Sequence, residues 1–230
     1  MKIFDTKQNR NDYFKTQIAR SRKKFSYCKV SHNHVKTWKK VITGNFSVID
    51  NFKGPILCLG TRNGREIDLF RSVFYQVKMI NYLVHLLEIK RDGWNSLFPL
   101  IEGMRKSSLD NIIENSVTGV ELNPDVKRPD VFIGSFDEMP LKWADTFGIL
   151  YSNSFDQSYD PYKSAKEWIR VLKGGGVLII GFNYAKPNVH DPTGELTYQD
   201  ILKLFPGELL YYRKLGSNYN DLIIKIDKKT

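Results

Sequence analysis

Two groups of residues have the types and spacing to bind the nucleoside part of a cofactor. The stretch ILCLGTRNGRE, residues 56–66, passes from apolar residues into a turn bounded by Gly60 and Gly64, and the segment VTGVELN later supplies Glu121. A glycine at the end of a buried strand lets the chain turn sharply and lets a ligand approach main-chain N–H groups. A carboxylate at the end of the neighbouring strand accepts hydrogen bonds from ribose hydroxyls. This order of strand, turn, helix, strand and acid predicts a site for a nucleoside-bearing cofactor.

The residues around the turn argue against two common nucleotide cofactors. The stretch has neither the G-x-G-x-x-G spacing of dinucleotide binders nor the G-x-x-x-x-G-K-S/T spacing of phosphate-binding loops. The helix that follows opens with Arg65 and Glu66, so a pyrophosphate at its N-terminus would meet an acidic side chain. NAD and ATP are therefore disfavoured.

The turn and the acid must be positioned by alternating strands and helices. Buried strands are predicted at PILCLG, VTGVELN, RPDVFIGS, FGILYSNS and VLIIGF. Helices are predicted at GREIDLFRSVF and at YKSAKEWIRVL, the latter ending at Lys173 before three glycines, and ELLYYRKL and DLIIKID form an antiparallel pair. The fold class is therefore α/β, with a mostly parallel sheet covered by helices on both faces. Residues 75–116 are longer than a simple connection and predict a helical insertion.

Charge divides the chain into two parts. Of 35 Lys and Arg and 25 Asp and Glu, residues 1–53 hold 13 basic and 3 acidic side chains, whereas residues 54–230 hold 22 of each. Two short amphipathic helices are predicted in this basic N-terminal arm, with Asp12 and Asn33 as candidate N-caps. The arm is expected to meet an anionic molecule or to cap the site in the body, residues 54–230.

The aromatic residues of the arm leave two interpretations open. Tyr13, Phe25, Tyr27 and Trp38 alternate with Lys and Arg, as they do in nucleic-acid-binding surfaces where bases stack. Alternatively, the two helices bury these aromatic side chains over the cofactor site and leave the lysines in water.

Cysteine content and hydropathy indicate the compartment. Cys28 and Cys58 are the only cysteines, too few for a disulfide framework or a tetrahedral metal site, so no metal is expected and a reduced cytoplasmic setting is favoured. The first twenty residues contain no apolar segment typical of a signal peptide, and MINYLVHLLEI is too short to span a bilayer. No membrane partner is expected.

Five motifs in a fixed order resemble the class I S-adenosylmethionine-dependent methyltransferases, in particular the methyltransferase type 11-like members. They are ILCLGTRNGRE, VTGVELNP, FIGSFDEMPL, FGILYSNSFDQSYDP and EWIRVLKGGGVLIIGF, and together they cover residues 55–182. The resemblance implies a Rossmann-like seven-stranded sheet that ends in an antiparallel strand pair, and S-adenosyl-L-methionine as the cofactor.

The resemblance also implies which residues bind this cofactor. The turn would hold its methionine end through main-chain contacts, Glu121 would bind the ribose, and Leu122 would pack on the adenine. Ser135 and Phe136 would line the adenine edge. The turn residues and the residues expected under the sulfonium are Gly60, Thr61, Arg62, Asn63, Gly64, Ser152, Asn153 and Ser154.

The sequence departs from the family pattern at four positions. Cys58, Ser135 and Gly148 stand where the family commonly carries acids, and Arg62 stands at the central glycine of the first motif. Arg62 either pairs with the carboxylate of the cofactor, the interpretation that the flanking glycines favour, or fills the space of that carboxylate, or is an ordinary surface arginine. The missing acids support an alternative function, a catalytically inactive accessory subunit that binds nucleic acid through the basic arm.

Two residues are candidates for contacting the methyl acceptor. Asp156 follows the fourth strand and is expected to orient the acceptor as a catalytic carboxylate, although a turn or N-cap acid has the same sequence signature. His190, after the fifth strand, is expected to contact the substrate, unless it is a solvated loop histidine. The predicted function is methyl transfer to an unidentified small molecule or nucleic acid, with an anionic acceptor suited to the basic arm.

Overall fold

A computed structural model describes residues 1–45, 54–75, 116–215 and 219–228. Of the predicted helical insertion, residues 75–116, only the two end residues belong to the described ranges. Within the described ranges the chain contains the following strands and helices in order: β1 Lys2–Ile3, α1 Arg10–Lys23, α2 His32–Asn45, β2 Ile56–Leu59, α3 Arg65–Phe74, β3 Val117–Glu121, β4 Val131–Ile133, β5 Phe147–Ser152, α4 Pro161–Val171, β6 Leu172–Asn183, β7 Thr193–Gly194, α5 Tyr198–Leu204, β8 Gly207–Leu215 and β9 Tyr219–Ile226.

Seven of these strands form one sheet, in the order β4-β3-β2-β5-β6-β9-β8. Strands β2 to β6 pair in parallel, and β9 is antiparallel to both of its neighbours. The predicted α/β fold with a mostly parallel sheet and an antiparallel C-terminal pair is confirmed. One boundary was wrong, because α4 ends at Val171 and the three glycines lie inside β6.

The sheet separates two hydrophobic clusters, because side chains of a strand alternate between its faces. Ile56 and Cys58 of β2 face one cluster, and Leu57 and Leu59 face the other. The first cluster also contains Trp38 of α2, which is 1% exposed. Helix α2 of the basic arm therefore packs in the core of the body, against α3 and β8.

Local signals explain where the helices begin. Asp160 caps α4, since its carboxylate accepts from the N–H groups of Tyr162 and Lys163 at 3.0 Å, and Pro161 occupies the first helical position. Helix α1 is capped by Asn9 rather than by the predicted Asp12, which lies one turn inside the helix. Its start is held near the body because β1 pairs with β7.

Strand β2 lies between β3 and β5. The chain adds β3 and β4 on one side of β2 and then crosses to add β5 and β6 on the other side, so β2 and β5 mark the switch point of the sheet. In open α/β sheets, ligands bind beyond the carboxyl ends of the strands at such a switch point. None of the described helices combines the length and the apolar character needed to cross a membrane.

Candidate cofactor site

The turn after β2 requires glycine at both of its ends. Gly60 has φ +70°, and a Cβ there would lie 2.6 Å from Oγ of Ser154, at the end of β5. Gly64 has φ +77°, and a Cβ there would lie 2.6 Å from the Arg128 side chain. The left-handed conformation and the close packing both exclude other residues, so the turn has a fixed shape.

The acid that ends β3 contacts this turn directly. Oε2 of Glu121 accepts a hydrogen bond from the main-chain N–H of Arg62 at 2.8 Å. Oε1 accepts from the N–H of Asn123 at 3.1 Å and from the hydroxyl of Ser21 in α1 at 3.0 Å. Glu121 is 5% exposed. Its carboxylate is thus oriented by three donors from three different segments.

A cavity of about 620 Å³ opens above this contact, and we refer to it as the first cavity. Seven of the sequence-predicted cofactor residues line it: Gly60, Arg62, Glu121, Leu122, Ser135, Phe136 and Ser154. The folded chain therefore gathers residues from the ends of β2, β3, β4 and β5 around one space.

Five other predicted residues are not among those lining the first cavity. Thr61 is 1% exposed and lies beside Gly119. The side chain of Asn63 accepts from the N–H of Arg65 at 3.1 Å, next to Gly64. The hydroxyl of Ser152 donates to the carbonyl of Leu59 at 3.3 Å. These residues hold the turn and the strand ends in place, and the fifth, Asn153, lines a separate cavity.

The main-chain N–H groups of the turn are largely engaged within the protein. Gly60 donates to the carbonyl of Val120 at 2.9 Å, and Gly64 donates to that of Thr61 at 2.8 Å. Arg62 donates to Glu121, as described above. The resemblance implied that this turn holds the methionine end of the cofactor through main-chain contacts, and these three donors serve the fold instead.

An acid is present at the predicted adenine edge, although Ser135 stands where the family commonly carries one. The hydroxyl of Ser135 donates to Oδ1 of Asp137, which is 3% exposed and also accepts from Arg10 at 2.8 Å. Phe136 is held beside them, because its carbonyl accepts from the indole N–H of Trp168 at 3.1 Å. The charge of Asp137 is therefore paired, and this edge of the cavity is polar.

Helix α1 covers the first cavity, which the sequence did not predict at residue level. Its residues Phe14, Gln17, Arg20 and Ser21 line the cavity. The hydroxyl of Tyr13 donates to the carbonyl of Gln157 at 2.9 Å, and Gln17 donates to the carbonyl of His190 at 2.6 Å. The spacing of Tyr13, Gln17 and Ser21 by four residues is the available sequence signal, a polar stripe on a helix that otherwise lacks an apolar face.

Much of the arm's charge pairs with acids of the body. Arg10 pairs with Asp137 and Glu138, Arg20 with Asp191, and Arg22 with Asp125. The arm's aromatic side chains differ in exposure: Tyr13 and Trp38 are buried at 1%, Phe25 is half-buried, and Tyr27 is 45% exposed. Two of the four are therefore unavailable for stacking on bases in this structure.

The side chain of Arg62 extends toward the arm. Its guanidinium lies 5.2 Å from the ring centroid of Tyr27 and donates to the carbonyl of that residue at 3.3 Å. Arg62 has φ +47°, a left-handed conformation that is uncommon for a residue with a side chain. The guanidinium lies at the boundary of the first cavity and the cavity that Asn153 lines.

The two candidate acceptor residues lie in different environments. Asp156 is 8% exposed, and burial together with the charge of Asp191 raises its pKa to about 7. A carboxyl group with such a pKa can both accept and release a proton near neutral pH. The side chain of His190 is exposed, whereas its main-chain carbonyl accepts from Tyr13, Gln17 and Arg20.

A buried ionic network supports the turn from below. The guanidinium of Arg128 forms two-point contacts with Asp68 at 2.9 Å and with Asp130 at 2.9 and 3.0 Å, and all three side chains are at most 1% exposed. The same guanidinium donates to the carbonyl of Asn63 at 3.2 Å. Arg128 therefore links α3 and the start of β4 to the turn.

The remaining departures from the family pattern are structural positions. Cys58 is fully buried in the first hydrophobic cluster, and burial raises the pKa of its thiol. Gly148 donates its N–H to the carbonyl of Pro55 at 2.9 Å. Within the described residues there is no group of His, Cys, Asp or Glu that could hold a metal ion.

Solved structures share this arrangement of strands and helices. The chain is similar to the 1,6-didemethyltoxoflavin-N1-methyltransferase of Burkholderia thailandensis, which was crystallised with 1,6-didemethyltoxoflavin and S-adenosylhomocysteine. The TM-score is 0.54 at 10% sequence identity, over 87% of this chain and 80% of that one. No protein-family model and no curated protein matches the sequence.

Two further structures are similar at a TM-score of 0.49. One is the putative methyltransferase in complex with the Trm112 methyltransferase activator from Haloferax volcanii, at 15% identity over 95% of this chain and 98% of that one. The other is the cyclase SpnF, at 12% identity over 84% and 80%. The similarity to the Burkholderia enzyme shows that the chain has the fold of the class I methyltransferases.

Proposed function

We propose that this protein is an S-adenosylmethionine-dependent methyltransferase that binds its cofactor in the first cavity. The contact between the N–H of Arg62 and the carboxylate of Glu121 carries the proposal. It brings the turn after β2 and the acid that ends β3 to one edge of the cavity, as a ribose-binding site requires. The fold similarity to a methyltransferase supports the same conclusion.

The residues of the first cavity fit an adenosine moiety. Among the described residues, Oε2 of Glu121 accepts from Arg62 alone, and a carboxylate oxygen has room for a second donor such as a ribose hydroxyl. Leu122 and Phe136 offer apolar surface to the adenine, and Ser135 offers a hydroxyl at its edge. Ser154, at the end of β5, is the residue proposed to lie under the sulfonium.

The chain's own part in the reaction is to position the acceptor and to take up its proton. When bound, the cofactor supplies a methyl group on a positively charged sulfur, which is already activated for transfer. Helix α1 covers the cavity and excludes water from it, and orientation by the protein then accounts for much of the rate. Asp156 is proposed to accept the acceptor's proton.

The finer assignments are part of the same proposal. The acceptor is a small molecule or a nucleic acid, the setting is cytoplasmic, and membership in the type 11-like group follows from the motif order in residues 55–182. Thr61, Asn63, Gly64 and Ser152 are proposed to act through the shape of the turn and the strand ends.

The accessory-subunit alternative remains a prediction. The pairing of Arg10, Arg20 and Arg22 with acids of the body leaves fewer arm cations to contact phosphates. Binding of single-stranded RNA with a steep salt dependence, in a protein with no affinity for S-adenosylhomocysteine, would select this alternative.

Calorimetric titration with S-adenosylhomocysteine tests the proposal. We expect saturable binding that Glu121→Ala weakens by about tenfold or more, because a charged hydrogen-bond acceptor is lost. Glu208→Ala, a substitution of an exposed glutamate in β8, is the matched control and should leave the affinity unchanged. An absence of binding by the wild-type protein would overturn the proposed function.

A further inference from the structure

A second cavity of about 550 Å³ adjoins the first. It shares the residues Arg20, Arg62 and Gln157 with the first cavity, so the two spaces meet at the end of β5. Its other lining residues come from the arm, from the segment after β5, from β6 and the loop after it, and from β9: Lys24, Tyr27, Lys29, Asn153, Asp156, Asn183, Asp191 and Tyr219. The proposed function places the adenosine in the first cavity, which leaves the second for a different molecule.

Asp156 is a buried lining residue of the second cavity, and one of its carboxylate oxygens has no hydrogen-bond partner among the described residues. Oδ2 accepts from the side-chain N–H of Asn183 at 3.3 Å, whereas buried Oδ1 has no hydrogen-bond partner among the described residues. Only 8% of the Asp156 surface is exposed to solvent. A buried carboxyl oxygen without a partner is costly for the fold, and a ligand donor at this place would remove that cost.

Three cations that line the same cavity, Lys24, Lys29 and Arg62, form no ion pair within the described residues, and the two lysines are exposed. Lys29 lies over the ring of Tyr219, 4.4 Å from its centroid, and Arg62 contacts Tyr27. Within the described residues, neither these two nor Lys24 forms an ion pair with a carboxylate. Arg10, Arg20 and Arg22 of the same arm all do. Positive charge is thus left available where the second cavity opens.

We infer that the second cavity is the acceptor site, and that the acceptor is a small molecule with an anionic group at one end and an N–H or O–H group at the other. Lys24 and Lys29 hold the anionic group, which is a carboxylate or a phosphate. Asp156 holds the N–H or O–H group through Oδ1. This inference rests on the proposed function, because it takes the methyl donor to be in the first cavity.

The transfer step needs no reactant beyond the methyl donor, the acceptor and the Asp156 carboxylate. The acceptor nitrogen or oxygen bonds to the methyl carbon, the sulfur–carbon bond breaks with its electron pair left on sulfur, and the acceptor proton passes to the Asp156 carboxylate. Charged and titratable groups surround Asp156 on several elements. They are Asp191 and Lys186 from the loop after β6, Arg20 and Tyr13 from α1, Lys24, Tyr27 and Lys29 from the segment after α1, Arg62 from the turn, and Tyr219 from β9. Asp191 is paired with Arg20, so Asp156 is the carboxylate available for the proton.

Inorganic sulfate is the probe for the anionic end, because its charge stays constant over the pH range of interest. Binding to the full chain is followed by amide shifts in NMR spectra, with and without saturating S-adenosylhomocysteine. We expect saturable binding that Lys24→Ala/Lys29→Ala weakens by about tenfold. The control Lys36→Ala/Lys40→Ala removes the same charge from exposed positions of α2 and should leave the affinity within about twofold of wild type.

The same titration tests whether Asp156 shares the cavity with the anion. Asp156→Asn should strengthen sulfate binding at pH 8, because it removes a negative charge from the cavity. In the wild-type protein, sulfate affinity should rise as the pH falls from 8 to 6 and Asp156 takes up a proton. Asp156→Asn should abolish this rise. His190→Asn controls for the exposed histidine of the adjacent loop and should retain this rise. Equal effects of the two lysine pairs, or a wild-type pH dependence that Asp156→Asn retains, would overturn the inference.

Competition decides between an acceptor site and a site for the methionine end of the cofactor. If the second cavity holds the acceptor, sulfate and S-adenosylhomocysteine bind together. If S-adenosylhomocysteine displaces sulfate, the cavity holds the methionine end and the inference is wrong. Sulfate binding with the expected pattern but no S-adenosylhomocysteine binding would leave an anion site intact and overturn the proposed function instead.

Discussion

The carboxylate of Glu121 and the main-chain N–H of Arg62 are joined by a 2.8 Å hydrogen bond, although 59 positions separate them in the sequence. The bond closes the space between the ends of two adjacent parallel strands. It also orients one carboxylate oxygen toward a cavity whose other walls come from α1 and from the segment after β4. The proposed cofactor site depends on this contact.

Ser21→Ala is expected to tighten S-adenosylhomocysteine binding by about threefold. One ribose hydroxyl has room on Oε2 of Glu121, whereas a second must compete for Oε1 with the Ser21 hydroxyl, which donates to Oε1 at 3.0 Å. Thr16→Ala is the control on the same helix, because the Thr16 hydroxyl donates to the carbonyl of Asp12. Calorimetry on both variants makes the measurement, and weaker binding by Ser21→Ala would show that the serine assists the ligand.

Arg62→Gly is expected to weaken S-adenosylhomocysteine binding by about tenfold and to leave adenosine binding unchanged. Glycine keeps the main-chain N–H that orients Glu121 and accepts the φ of +47°, so only the guanidinium is lost. The charge-assisted contact with the ligand carboxylate is absent from adenosine. Stronger binding by this variant would instead support the reading that Arg62 fills the carboxylate position.

Arg128→Met is expected to lower the free energy of unfolding by about 3–5 kcal/mol, because it leaves two buried aspartates without their cation. Urea unfolding monitored by tryptophan fluorescence gives this quantity. Arg22→Met is the control, since the Arg22 pair with Asp125 is more than half exposed. That variant should leave the free energy of unfolding close to the wild-type value, because solvent screens the exposed pair. Similar losses in the two variants would contradict the structural importance of the network.

Stability should fall as the pH rises from about 5 to about 8.5. Burial raises the pKa of Glu66 from 4.5 to about 7 and that of Asp156 from 3.8 to about 7. A carboxyl whose pKa is raised on folding stabilises the protein fully below its unfolded pKa, and this contribution is lost as the pH rises through the folded pKa. The loss for each group is on the order of 3 kcal/mol.

Glu66→Gln isolates one of these two contributions. The glutamate lies at the start of α3 beside Cys28, and glutamine keeps its shape without a charge. Urea unfolding at pH 5.5 and 8.5 should show a smaller difference in this variant than in wild type, whereas Glu208→Gln should behave as wild type. A wild-type pH dependence in Glu66→Gln would show that folding does not raise the pKa of Glu66.

The sequence predicted the parts of this molecule that local patterns specify. The apolar run Ile56–Leu59, the glycines of the turn and Glu121 at a strand end were sufficient to predict the parallel sheet and which side of it binds a ligand. Motif order placed Leu122, Ser135 and Phe136 on the segments that line the first cavity. These features follow from strand period and from the backbone requirements of glycine.

Long-range contacts were beyond sequence patterns. The Ser21–Glu121 and Arg20–Asp191 contacts depend on how α1 lies over the sheet, and no period in the sequence encodes that placement. The Asn9 cap was missed because Asp12 is equally compatible with the pattern. Asp137 was missed because the motif pointed to position 135 for the acid. In the folded loop, Asp137 also lines the first cavity.

The most direct measurement of the central claim is an amide NMR titration of the full chain with S-adenosylhomocysteine. If the turn and Glu121 bind one adenosine moiety, the amides of Arg62, Leu122 and Gly134 shift together along a single saturation curve. Glu121→Gln should lower the affinity for S-adenosylhomocysteine that is measured at all three amides. Unshifted amides at these positions, or shifts confined to the exposed faces of α1 and α2, would contradict the account.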